Sequence, residues 1–140
     1  MSFREKTAWA MGLILTAGSV FYFSKVIGLS RAIGHTAPPI IGFIIAYVIL
    51  IVIASIVLFS VLGASSPKEA NSPADERERQ IESRAGHWSG TLLGLGVFAG
   101  LWHFWAYADG NMLFHVVFGS LMASQIAEYA FQIFLYRRGV

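Results

Sequence analysis

The most unusual side chain in this sequence is Glu128, which is the single charged residue between Asp109 and Arg137. An ionised carboxylate in such an apolar segment is costly unless it is protonated, paired or turned toward water. Gln125 and Gln132 stand three residues before it and four residues after it, so a helix places the three side chains on one face. This polar stripe has three interpretations: a structural hydrogen-bond cluster between helices, a proton or ion pathway, or a carboxylate that reaches toward a membrane interface.

Two of the four histidines, His103 and His115, flank Asp109. Neutral imidazoles bind zinc, copper or haem iron, and two helices that meet at Asp109 would bring both rings close together. No HExxH or HxxxH spacing is present, however, and Trp102 and Trp105 lie beside His103. The alternatives are therefore a metal or haem site at His103 and His115, or histidines within an interfacial aromatic belt.

No pattern typical of catalysis is present. The sequence contains no P-loop, dinucleotide-binding fingerprint or nucleophile–base motif. It also contains no cysteine, which excludes disulfides and thiolate metal ligands. We therefore expect a protein that is not an enzyme and that carries no cofactor. The alternative hypothesis is that His103 and His115 bind a metal ion or haem.

Glycines recur at four-residue spacing after Arg84. Small residues at this spacing let helices approach closely in a membrane, where van der Waals packing replaces the hydrophobic driving force. The approaching helix can belong to the same chain or to a second copy in a homodimer. Both alternatives use the same positions: Gly86, Gly90, Gly94, Gly96 and Gly100.

The residues around these motifs predict the helices that carry them. Hydrophobic residues make up 56% of the 140 residues and charged residues 13%, with a mean hydropathy of +0.62. A soluble domain carries about 25% charged residues. Four charge-free segments can each hold a membrane span of about 17–25 residues. We predict an all-α membrane four-helix bundle as one domain, 1–140, with spans at 7–24, 39–62, 85–107 and 111–136, and a loop and charged helix at 63–84.

The charged helix is predicted to begin at Ser72 and Pro73, because serine caps helices and proline suits their first turn. It leads directly into the third span, which is followed by a tight turn at 108–111. Its mixed charges are typical of two structures: a solvated extension of the third span, or a docking surface for a cytoplasmic protein partner. Docking is the function that we expect. The docking residues are Asp75, Glu76, Arg77, Glu78, Arg79, Glu82, Arg84, Arg137 and Arg138.

The distribution of Lys and Arg predicts the orientation in the membrane. Each terminus carries two, the loop and charged helix four, the connection after the first span two, and the turn at 108–111 none. Cytoplasmic termini therefore place eight basic residues inside and two outside, as the positive-inside rule favours. The pI of about 9.2 follows from this topology, so we expect contact with the lipid bilayer and no direct nucleic-acid binding.

Two short motifs resemble a family of small bacterial four-span membrane proteins of unknown function. One is the DERE-type helix at 75–78, and the other is the YRRG-type ending at 136–139, which follows Glu128. The resemblance covers the second half of the chain. It implies a multi-pass protein of the bacterial inner membrane and carries no activity with it. It also suggests a network of carboxylates and arginines among Asp75, Glu76, Arg77, Glu128, Arg137 and Arg138.

Overall fold

The computed structural model describes residues 3–65, 67 and 72–138. Four long helices account for most of them: α1 Phe3–Ile33, α2 Ile41–Ser65, α3 Glu76–Tyr107 and α4 Gly110–Arg138. Substantial packing joins α2 to α1, α1 to α4 and α4 to α3, and each of these pairs is antiparallel. The prediction of an all-α protein with four helices is confirmed.

The first helix is longer than the span predicted for it. We expected a connection from Lys25 to Pro39, but α1 continues to Ile33. The helix ends where Gly34 adopts a positive φ of 77°, and the Gly34 N–H donates to the Ser30 carbonyl at 3.0 Å. Glycine takes this left-handed conformation without a steric penalty, so it ends the helix. Charge at Lys25 limits an apolar span, but it does not interrupt backbone hydrogen bonding.

The charged segment and the third apolar segment form one continuous helix, as predicted, but its start differs. Asp75, and not Ser72, caps α3: its carboxylate accepts from the Glu78 N–H at 2.7 Å. The Glu78 side chain in turn accepts from the Asp75 N–H at 3.2 Å. This reciprocal capping box satisfies two backbone donors at once, so the helix begins at Glu76 and Pro73 lies outside it. Part of the predicted loop, residues 66 and 68–71, lies outside the described residues.

The turn between α3 and α4 is as short as predicted. Ala108 adopts a left-handed conformation with φ of 53°, and its N–H donates to the Phe104 carbonyl. Asp109 then caps α4, because its carboxylate accepts from the Met112 N–H at 2.9 Å. Two residues therefore reverse the chain and hold α3 and α4 side by side as an antiparallel hairpin.

The buried core is small, and α2 contributes no side chain to it. Of the described helices, α1 and α2 are long and apolar enough to cross a membrane. Glycines, histidines and other polar residues make α3 and α4 less apolar, so spans at 85–107 and 111–136 stay predictions. The largest buried apolar side chains are Met11, Leu15, Tyr22, Ile81, Met122 and Leu135.

Candidate functional site

Arg4 ties α1 to the charged segment of α3, which we define as 76–84. Its Nε lies 3.0 Å from Glu78 Oε2, and its Nη1 lies 2.7 Å from Glu82 Oε1. Glu78 and Glu82 are four residues apart on one helix face, so a single guanidinium reaches both. The resemblance suggested a network of arginines and carboxylates, but the residues that form this contact, Arg4, Glu78 and Glu82, are not among the six that it pointed to.

These contacts divide the predicted docking residues into two groups. Glu78 and Glu82 bind Arg4, Asp75 caps the helix, and the Arg77 guanidinium donates to the Tyr136 carbonyl at 3.4 Å. Such residues hold the segment in place. The outward face is an open depression of about 350 Å³, lined by Glu76, Arg79, Gln80, Ser83 and Arg84.

The C-terminal arginines pack on aromatic rings at the end of α4. The Arg137 guanidinium lies 5.4 Å from the centroid of the Trp9 ring, and Arg138 lies 4.4 Å from that of Phe134. Cation–π contacts of this kind are worth about 0.5–1 kcal/mol at exposed sites. Arg137 therefore adds a second tie to α1, while its exposed head contributes positive charge to this end of the bundle.

His115 is buried at the centre of a polar cluster that the sequence did not reveal. Its Nε2 lies 2.9 Å from the Ala37 carbonyl, and its Nδ1 lies 3.4 Å from the Tyr22 hydroxyl. Because a carbonyl only accepts, we assign the proton of the neutral ring to Nε2, and Nδ1 then accepts from Tyr22. Both nitrogens are thus used, so binding a metal would require His115 to give up one of these hydrogen bonds.

His103 has a different environment. Its ring packs 4.8 Å from the Tyr107 ring, and its buried Nδ1 has no hydrogen-bond partner among the described residues. Over the same residues, no group of three or more His, Asp or Glu side chains is placed to hold a metal ion. The metal or haem site at His103 and His115 stays a prediction, with one free nitrogen on His103 to support it.

Asp109 fastens the α1–α2 connection to the α3–α4 turn. The Thr36 hydroxyl donates to Asp109 Oδ2 at 2.8 Å, and the Asn111 side chain donates to the Thr36 carbonyl at 3.4 Å. The Met112 N–H and then the Thr36 hydroxyl lower the pKa of the Asp109 carboxyl below its ordinary value of 3.8. The carboxylate therefore serves as a structural acceptor at this end of the bundle.

Within the described part of the chain, no hydrogen bond links the polar stripe of α4 into a cluster, which is one of its three interpretations. Glu128 is half-buried and makes no hydrogen bond or ion pair within the part of the chain that the structure describes. Gln125 is exposed, and Gln132 lines an opening of about 440 Å³ together with Arg4 and Tyr129. A half-buried carboxylate without a partner leaves the ion-pathway and interface interpretations of Glu128 open.

The glycines of α3 separate into two groups. A Cβ at Gly96 would overlap the Ser120 side chain, and one at Gly100 would come within 3.2 Å of Val116 Cγ1. These two positions therefore let α4 approach α3 within the chain. A Cβ at any member of the other group would meet nothing within 4 Å: Gly86, Gly90 and Gly94.

No protein-family model, curated protein or solved structure matches this chain. The resemblance of 75–139 to a bacterial four-span family therefore stays a prediction that rests on the two short motifs.

Proposed function

We propose that the chain is a multi-pass protein of the bacterial inner membrane, with four spans and with both termini in the cytoplasm. The apolar surface supports this placement, because α2 exposes isoleucine, valine and phenylalanine over the whole of its surface that does not pack on α1. Water-soluble monomers rarely expose a continuous apolar patch of this extent. In a bilayer the same surface contacts lipid tails.

The exposed tryptophans support a span within α3. Trp88 and Trp105 are separated by 17 residues, or about 26 Å of helix at about 1.5 Å per residue. A bilayer has a hydrocarbon core about 30 Å thick, with Trp and Tyr enriched at both interfaces. On this placement the charged segment 76–84 projects from the membrane on the side of the termini.

The function that the geometry supports best is docking of a cytoplasmic protein on the outward face of the charged segment. The observation that carries this proposal is that the charged segment has two different faces. Glu78 and Glu82 on the held face contact Arg4, and the outward face lines the open depression. Arg4 offsets one of the two negative charges of this glutamate pair. The outward depression is left with two arginines, Arg79 and Arg84, against one glutamate. The partner surface is therefore acidic, and no catalytic step is part of the proposal.

Site-specific photo-crosslinking in cells tests this proposal. A crosslinking residue at Gln80 or Ser83 is expected to give one discrete adduct, whereas the same residue at the apolar, exposed Leu95 gives none. The adduct is expected to disappear in an Arg79→Glu, Arg84→Glu variant that keeps its helical circular dichroism. Equal labelling at Leu95, or an adduct unaffected by the charge reversal, would contradict docking at this face.

The second interaction that we propose is a homodimer in which α3 of one copy packs on a helix of a second copy. The open positions Gly86, Gly90 and Gly94 leave room for a helix of a second copy, whereas Gly96 and Gly100 are already used within the chain. An engineered cysteine at Gly90 tests this, because the wild-type chain has none. Disulfide-linked dimers in membranes at low expression are expected from Gly90→Cys but not from Gly28→Cys. Equal yields from both positions would contradict a seam on α3.

A further inference from the structure

A groove of about 770 Å³ runs between the second half of α1 and the first half of α4. Phe23, Val26 and Ile27 form its wall on α1. On α4 its floor is lined by one helix face that includes Val116, Gly119 and Ala123. Gly119 lets the Phe23 ring approach α4, since a Cβ there would come within 2.8 Å of Phe23 Cζ, and Ala123 is the exposed small residue of the floor. The volume lies within the range of about 300–1,000 Å³ that is typical of small-molecule sites.

The groove ends at a positively charged mouth where α1 stops. Arg31 and His35 are both exposed there. His35 Nδ1 lies 3.1 Å from the Thr36 carbonyl, which leaves Nε2 for outward contacts, and the Ser30 hydroxyl accepts from the Ala37 N–H. Over residues 3–65, 67 and 72–138, the Arg31 guanidinium makes no hydrogen bond or ion pair. Among the described residues, no acidic side chain lines the groove, and Arg31 is its one lysine or arginine. The Asp109 carboxylate, which accepts from the Thr36 hydroxyl and the Met112 N–H, keeps its negative charge but is not part of the lining. The mouth therefore complements an anion.

We propose that this groove holds one acyl chain of an anionic phospholipid, with the lipid headgroup bound at Arg31 and His35. An apolar groove that opens to the side of a membrane bundle is in contact with lipid tails. A chain in the groove restores the dispersion contacts that its lining otherwise lacks. The phosphate is the charged hydrogen-bond acceptor that a guanidinium binds best.

The depth of the mouth in a bilayer agrees with this occupant. Trp9 and Arg31 are separated by 22 residues of α1, or about 33 Å at about 1.5 Å per residue. If Trp9 marks one interface, Arg31 reaches the headgroups of the opposite leaflet. The inference thus rests on the proposed membrane placement, but it concerns the opposite end from the docking face and is independent of any protein partner.

Lipid-dependent thermal stabilisation of the purified chain in a neutral detergent tests the proposal. Dioleoyl phosphatidylglycerol is compared with dioleoyl phosphatidylcholine, which has the same chains on a zwitterionic headgroup, and with free oleate. Phosphatidylglycerol is expected to stabilise the wild type most. Arg31→Gln is expected to weaken its apparent Kd roughly tenfold, as for the loss of one charge-assisted hydrogen bond. The control Lys25→Gln removes a cation of the same helix outside the groove and keeps the wild-type Kd.

A second pair of variants tests the groove itself. Ala123→Trp fills the floor and is expected to abolish the preference for phosphatidylglycerol, whereas Ala130→Trp, on an exposed part of α4 outside the groove, preserves it. Ala123→Leu replaces the tryptophan variant if that fails to fold. Unchanged affinity in Arg31→Gln and Ala123→Trp would overturn the proposal, and full stabilisation by oleate would overturn the phospholipid as occupant. Carbonate extraction of native membranes tests the membrane placement separately.

Discussion

Gly96 makes a quantitative test of the α3–α4 interface possible, because Gly90 on the same helix is a matched control. In a helix interior, Gly→Ala is favourable by about 0.5–1 kcal/mol. Within one chain a Cβ at Gly90 meets nothing within 4 Å, so Gly90→Ala is expected to stabilise the monomeric protein, in which the proposed dimer contact is absent, by that amount. A Cβ at Gly96 overlaps the Ser120 side chain, and overpacking of this kind costs about 1–3 kcal/mol. The two variants should therefore differ by about 1–3 kcal/mol, with Gly96→Ala the less stable.

Reversible unfolding by dodecyl sulfate in a mild detergent measures this difference, with helical circular dichroism as the signal. Ser120→Gly removes both side-chain atoms that the new Cβ would meet, so the double variant Gly96→Ala, Ser120→Gly completes a mutant cycle. Its coupling free energy is expected to be favourable by about 1 kcal/mol or more. If Gly96→Ala is as stable as Gly90→Ala, or the cycle shows no coupling, then α3 and α4 do not pack at these positions.

Three further predictions concern the two ends and the polar stripe. Asp75→Ala removes the cap of α3 and is expected to cost about 0.5–2 kcal/mol, seen as faster hydrogen exchange of the first turn, whereas Asp75→Ser should retain most of the protection. The pKa of Asp109 is lower in the folded state, so its contribution to stability is complete above about pH 4 and is lost as the pH falls through the folded pKa. Melting temperatures measured down to about pH 2.5 should fall less steeply for Asp109→Asn, and parallel curves would refute this role. Glu128 has no partner among the described side chains, so Glu128→Gln should leave stability unchanged or raise it, and a clear loss would reveal an ionic role.

Local signals in the sequence predict the elements of this fold well. The charge-free runs indicate four helices, and the residue types at 108–111 indicate the turn. The capping box at Asp75 was also readable, because an acidic cap followed three residues later by Glu is its signature. The end of α1 was placed too early because Lys25 limits the apolar run, although Gly34 is the residue that ends the helix.

The contacts between helices were not predictable in the same way. Amphipathic periodicity identifies the buried face of a helix in a soluble protein, but these helices are apolar on several sides, so the pattern does not show which face meets which neighbour. The Tyr22–His115 pair and the groove beside it depend on how each helix is rotated about its own axis. Arg4 depends on it as well, since its partners are contributed by a helix that begins more than seventy residues later.

This separation gives Arg4 two successive roles during synthesis. On the topology proposed above, Glu78 and Glu82 do not yet exist while α1 emerges, so the Arg4 charge is unpaired with them and favours retention of the N-terminus in the cytoplasm. Once α3 is made, both carboxylates can bind the same guanidinium if they lie on the same side of the membrane. A chain inserted with α1 inverted relative to α3 would leave Arg4 and both glutamates unpaired on opposite sides of the bilayer. On the proposed topology, the contact between Arg4 and α3 therefore forms only in a chain whose first and third helices are inserted with the expected relative orientation.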